Sequence, residues 1–390
     1  MTHMSPTSRG IAGLSGGLLV ALTLAGTQTN ALAQGCVAVR GSSACMLHPS
    51  SGTNPDDANL TSGDWIASVS DRYLHSTRHF VGDEEQKQRQ GAQANQVINH
   101  SDFLDFGLQY AFSPRYSLAL TLPTVFSSRS QKAPAGYPTY RYETHASGIG
   151  DMRLTAYAWL WDPAKMPKGN VQLGLGLKAP TGDDNVQDAF PTAGGGAIVK
   201  SVDQSIQPGD GGWGVSVELN AYREILPRTD IFLQASYLFN PQDQNNSLTW
   251  RDNTSAVPGA VTALPTSASY YEHYMSIPDQ YFARGGMDYV LIPKWGLSVS
   301  LAGRLEGVPV NDVFGGSDGF RRPGFAVSID PGIQVLKGRY AFNLNVPFAL
   351  YRNRERSVAD QIASNVSGKD VHGDAAFADY VVTASFSVRF

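Results

Sequence analysis

The chain closes on Tyr380-Val381-Val382-Thr383-Ala384-Ser385-Phe386-Ser387-Val388-Arg389-Phe390. Tyr380, Val382, Ala384, Phe386, Val388 and Phe390 occupy alternate positions, with Thr383, Ser385, Ser387 and Arg389 between them. Side chains alternate faces along a strand, so the segment has one apolar face and one polar face. In water such a strand leaves a sticky edge and an exposed aromatic residue. In an outer-membrane barrel lipid takes the apolar face, the lumen takes the polar face, and closure removes the edge.

Working outward, the composition agrees with that reading. In 390 residues, charged side chains make up only 16%, while glycine numbers 40 and aromatics reach 10%. That balance suits strands, turns and interfacial aromatic girdles better than helices. Net charge is -4 with a pI near 6.1, so no basic footprint points to nucleic acid. A mean hydropathy of -0.21 is compatible with strands that are apolar on one face only. The terminal strand also resembles the assembly signal of bacterial outer-membrane barrels, carried by Tyr380, Val382, Phe386, Val388 and Phe390. The barrel-assembly machinery and outer-membrane lipids are thus expected partners.

Residues 1–33 read as a signal peptide: Arg9 precedes the apolar run Ile11–Ala25, and Ala31-Leu32-Ala33 is a small-x-small cleavage site. No later stretch is long and apolar enough for a membrane helix. Residues 34–63 form a loose periplasmic segment, rich in Pro, Ser, Gly, Asn and Asp. Its Cys36 and Cys45 are the only cysteines, and an isolated pair in an exported protein predicts one disulfide. Neither a metal nor any other cofactor is expected.

Residues 64–390 carry the barrel. Alternation predicts about twelve strands, with ten or fourteen as the alternatives, since the first, from Trp65, blurs toward Phe80. Tight or fairly short connections at Ser113, Asp162, Leu226, Pro293 and Gly338 alternate with long ones, among them Ser127 to about Ala146, Thr181–Asp210 and Pro241 to about Ser276. Short periplasmic turns opposite long extracellular loops are the barrel pattern. Strand eleven is expected to run unbroken from Tyr340 to Leu350.

The inward faces then hold Arg115, Arg153, Lys178, Arg284 and Arg304 against Asp151, Glu218, Asp288, Glu306 and Asp330, with Asp105, Arg339 and Arg389 beside them. The signs nearly cancel, which argues against strong ion selectivity. Either these charges line a wet path or they pair and fill a narrow interior. Phe103, Tyr157, Trp159, Tyr222, Phe232 and Phe282 also face inward, as contact surface for an apolar or aromatic solute or as packing.

Ser147-Gly148-Ile149-Gly150-Asp151-Met152-Arg153-Leu154 resembles the Gly-x-Gly-Asp strand opening of the outer-membrane family named for the meta-pathway of phenol degradation. Leu173-Gly174-Leu175-Gly176-Leu177-Lys178-Ala179-Pro180-Thr181-Gly182-Asp183 is similar to that family's Gly-alternating strand ending in Pro-Thr-Gly. The resemblance implies a transporter of hydrophobic or aromatic compounds. One alternative is a structural barrel whose N-terminal segment docks a periplasmic protein. A weaker one is a lipid hydrolase built on His145-x-Ser147, for which no third residue or oxyanion site can be assigned. Asp183, Asp184, Asn185 and Asp188 lack the spacing of a calcium loop, and Tyr270, Tyr271 and Tyr274 read as a cover over the barrel mouth.

Overall fold

The computed structural model describes residues 59–91, 93–137, 139–193, 195–249 and 272–390. The signal peptide, the Cys36/Cys45 pair, Tyr270 and Tyr271 lie outside the described residues. Twelve antiparallel strands form one closed barrel. The first four are β1 (Trp65–Val81), β2 (Ile98–Ala111), β3 (Tyr116–Lys132) and β4, in two arms (Arg141–Ile149 and Arg153–Trp159). Next come β5 (Gly169–Lys178), β6 (Gly214–Leu226), β7 (Thr229–Phe239) and β8 (Gln280–Ile292). The circuit ends with β9 (Leu297–Val308), β10 (Gly324–Lys337), β11 in two arms (Tyr340–Asn345 and Phe348–Arg354) and β12 (Ala375–Arg389). Each strand pairs with the next, and β12 pairs with β1 from Ile66↔Arg389 up to Phe80↔Ala375. Trp65 and Phe390 exchange two backbone hydrogen bonds of 2.9 Å at the seam, so the closing strand has no free edge.

The alternation sorts side chains as the sequence implies. Leu175 is 61% exposed and Leu350 69% exposed, within a belt that also includes Phe106, Leu120, Val217 and Leu301. A continuous apolar belt of that kind belongs in hydrocarbon, where every backbone group is satisfied by the closed ladder. Trp65, Trp213, Trp295 and Tyr340 stand exposed near strand ends, at the levels where amphipathic rings favour the membrane interface.

Two expectations need correction, and the faintness of the first strand has a cause. The stretch from Ser127 to Ala146 is mostly strand: β3 continues to Lys132 and pairs with the upper arm of β4 through Lys132↔Arg141. Its side chains are polar on both faces there, so nothing marked it as strand. Strand eleven is interrupted at Val346-Pro347, since proline cannot donate to the ladder; Val346 N–H bonds to Pro331 O instead. The faint first strand is 17 residues long. Its alternation blurs because Asp71 shares the outward face with Leu104 and Ala384, its partners in register, and His75 stacks on His100 at 4.2 Å on that same face.

Above the barrel, Gln187–Pro191 pairs with Ala197–Ser201, Gln244–Leu248 pairs with Tyr274–Ser276, and α1 spans Val358–Ser367. Ser357 and Asp360 form a reciprocal capping box at the start of α1, which satisfies two otherwise orphaned donors.

Candidate functional site: the lumen and the segment that crosses it

The two sequence landmarks meet in space. Thr181 Oγ1 donates to Gly150 O at 2.8 Å and accepts from Met152 N–H at 2.9 Å. Asp151 accepts from Gly182 N–H at 3.0 Å and from Asp210 N–H at 2.9 Å. The Gly-x-Gly-Asp break in β4 and the Pro-Thr-Gly end of β5 are therefore two halves of one joint in the wall. The alternating glycines of β5 have a steric cause. Gly174 faces inward between Tyr157 and Glu218, and a Cβ there would lie 2.7 Å from Tyr157 Cε1. Its absence lets Tyr157 Oη donate to Glu218 Oε2 at 2.8 Å across the strand.

The inward charges are mutually engaged. Arg284 Nε lies 2.8 Å from Asp330, and Arg304 lies 2.9 Å from Glu306 and 3.9 Å from Asp330. Lys178 pairs with Asp210. Asp288 is buried beside the like-charged Asp230, its cross-strand neighbour, and within electrostatic reach of Arg284. Buried charges need such partners, because an unpaired one is strongly disfavoured in a low-dielectric interior. Trp159 meets Tyr222 edge to face at 6.0 Å. Phe103 and Phe282 are buried, and Phe232 is partly so. Arg115 departs from expectation: it sits at the turn into β3 and donates to Trp159 O and Leu160 O, closing the end of β4 rather than lining the lumen. Arg389 stands at the same rim and donates to Asn59 O at 2.7 Å, and Arg339 lies over the Tyr340 ring.

Residues 202–212, at the end of the long connection from Thr181, cross the barrel. Val202, Ile206 and Gln207 are buried. Asp203 meets Arg129 of β3 at 3.5 Å and Arg322, just before β10, at 2.6 Å. Those strands are five steps apart one way around the wall and seven the other, so one carboxylate ties nearly opposite walls together. Burial works against its ionisation, but Arg129, Arg322 and the Ser205 backbone N–H prevail and hold the carboxyl well below the usual carboxylate range. At the far end of the segment, Gly209 lies against Gly182, where a Cβ would come within 2.5 Å of the Gly182 carbonyl oxygen. Below it a cavity of about 30 Å³ is lined by Arg72, Phe103, Asp105, Asp151, Arg153 and Lys178, with Pro208 and Gln280. That volume holds about two waters and no aromatic ring. Asp203's buried position, its two partners and the contact of Gly209 with Gly182 reveal the plug; no local pattern announces it.

The remaining candidates fall elsewhere. His145 and Ser147 stand on the exposed outer face of β4 above the joint. The histidine ring nitrogens lie 3.6 Å from Glu143 and 3.6 Å from Asp188. Both face carboxylates, and neither is directed at Ser147, as a serine nucleophile would require. Asp183, Asp184 and Asp188 are engaged separately, with Asn185 N–H, Ser247 Oγ and His145 N–H. Among the described residues no cluster of His, Cys, Asp or Glu could hold a metal ion. Tyr274 packs edge to face on His273.

A closed barrel with an apolar belt, a polar lumen, short turns at one end and long loops at the other is an outer-membrane β-barrel. The profile of the family described as "Putative MetA-pathway of phenol degradation" matches residues 81–224, which include both landmark stretches, so the family resemblance read from the sequence holds. No curated protein sequence matches the chain. Among solved structures, the COG4313 outer membrane channel from Pseudomonas putida F1 is similar at 12% identity with a TM-score of 0.52, covering 85% of this chain and 97% of that one. The translocator domain of the autotransporter NalP from Neisseria meningitidis aligns at 9% identity with a TM-score of 0.43, over 85% of this chain and 90% of that one. The P. putida toluene transporter TodX aligns at 10% identity with a TM-score of 0.38, over 85% and 91%.

Proposed function

We propose that this protein is a passive outer-membrane channel for small hydrophobic or aromatic solutes, with residues 202–212 as its resident plug. The observation that carries the reading is the character of the lumen. Inward rings of Phe103, Tyr157, Trp159, Tyr222, Phe232 and Phe282 alternate with charges that neutralise one another locally. Such an interior offers an apolar solute contact area without exposing it to a net field. The likeness of its fold to a COG4313 outer membrane channel and the phenol-degradation description of its family profile support this reading. Residues 1–33 act as a cleaved signal peptide in this reading, residues 34–63 as a periplasmic segment with a Cys36–Cys45 disulfide, and the terminal strand as the feature read during barrel assembly.

Uptake by intact cells tests the channel. A bacterial strain stripped of its own hydrocarbon channels, with its lipopolysaccharide leaflet intact, should take up labelled toluene faster when it expresses this chain. Glucose uptake should not change. A toluene rate equal to that of the empty vector would refute the reading.

A further inference from the structure

Three of the inward phenylalanines carry an arginine on their face. The Arg72 guanidinium lies 4.5 Å from the Phe103 ring centre, Arg284 lies 4.9 Å from Phe232, and Arg304 lies 4.8 Å from Phe282. Arg72 and Phe103 are direct cross-strand partners, so the closed ladder holds one against the other. Arg284 shows how such a group is fixed in plane: Asp330 sits at its Nε, with Gln234 and Ser300 at its terminal nitrogens, each 3.3 Å away. A guanidinium is planar and weakly hydrated, and it has two faces. Each of these has one face against a protein ring. Arg72 also lines the cavity beneath the plug, where its guanidinium can meet a second ring through the same attraction between a cation and the quadrupole of an arene.

We propose that Arg72 is a specificity-determining residue that favours aromatic solutes over saturated rings of the same size. Of the three stacks, Arg72 and Phe103 are the pair that lines the cavity beneath the plug, with Pro123, Val125 and Pro208 as its apolar walls. A solute entering as the plug withdraws meets the guanidinium face there, while shape and apolar area alone would treat toluene and methylcyclohexane nearly alike. Lysine in the same place keeps the charge but has no flat, weakly hydrated surface. The inference rests on the channel reading and adds to it the class of solute and the residue that selects it.

The test measures uptake of labelled toluene and methylcyclohexane, side by side, in the same intact cells. In the wild type toluene should be favoured. In Arg72→Lys the toluene to methylcyclohexane ratio should fall about two- to fivefold, as expected for loss of one cation–π contact, with the methylcyclohexane rate unchanged. Arg72→Gln, planar but uncharged, should lose the preference equally and carries the test if the lysine variant does not reach the membrane. Arg115→Lys, at the rim, should leave both rates as they are. An unaltered ratio in folded Lys and Gln variants, or both rates falling together, overturns the role of Arg72 while leaving the channel standing. No uptake of either solute by the wild type overturns the channel, and this inference with it.

Discussion

Asp203 lies between two guanidinium groups that belong to nearly opposite walls, and removing its charge takes from both buried groups the carboxylate they share. Breaking a buried pair in this way costs about 3–5 kcal/mol, here at the expense of the plug rather than the barrel. Asp203→Asn should therefore raise hydrogen exchange across residues 202–212 at pH 7, while the strands keep their protection. The pH dependence follows from the depressed carboxyl. Its folded value lies below the unfolded one of about 3.9. The stabilisation is thus complete above the unfolded value and is lost only as the pH falls through the lower, folded one. Exchange of residues 202–207 in the wild type should be insensitive to pH from 8 to 5 once corrected for intrinsic rates; opening of that stretch within that range would contradict the clasp. At this scale alternation assigns each strand residue an expected face and says nothing of its partners. Arg115 was misplaced because a residue in a tight turn has no fixed inward or outward sense.

The β5 strand shows what an element contributes. Its outward Leu173, Leu175 and Leu177 were legible from alternation, and its inward glycines were legible only as a family landmark. Their cause is across the sheet, where Tyr157 and Glu218 fill the space beside Gly174, and Ser216 and Thr155 the space beside Gly176. Gly174→Val inserts a branched side chain into that contact, an overpacking that typically costs about 1–3 kcal/mol. Purified barrel should unfold at lower temperature, read as the point at which heat-modifiable migration on gels is lost, whereas Leu173→Val on the lipid face should unfold close to the wild-type temperature. The same element-scale view accounts for β1 and β11. Outward Asp71 and His75 blurred a 17-residue strand, and Pro347 divided one whose apolar alternation reads as continuous.

At the scale of the whole molecule, closure depends on how an extracellular connection returns through the lumen. The contact of Gly209 with Gly182 seats the plug against the joint between β4 and β5, and neither backbone can withdraw without releasing the other. Gly209→Val should unseat the segment and raise single-channel conductance in planar bilayers several-fold, while gel migration of the folded barrel stays as in the wild type. Unchanged conductance would mean that residues 202–212 are not what narrows the path. Local alternation was sufficient for the outward faces of most strands, for a count of about twelve and for the side on which the turns lie, but not for the polar continuation of β3 or the break at Pro347. A strand's two faces and the closure of its hydrogen bonds are properties of the chain and its solvent, and every repeat of Phe386 with Ser387 or Leu175 with Gly176 states them again. The position of residues 202–212, the clasp of Arg129, Asp203 and Arg322, and the stacks of arginine on phenylalanine were decided only by the tertiary structure. Each depends on which strands come to face one another across a closed lumen, and side chains far apart in sequence meet there only once the barrel has closed.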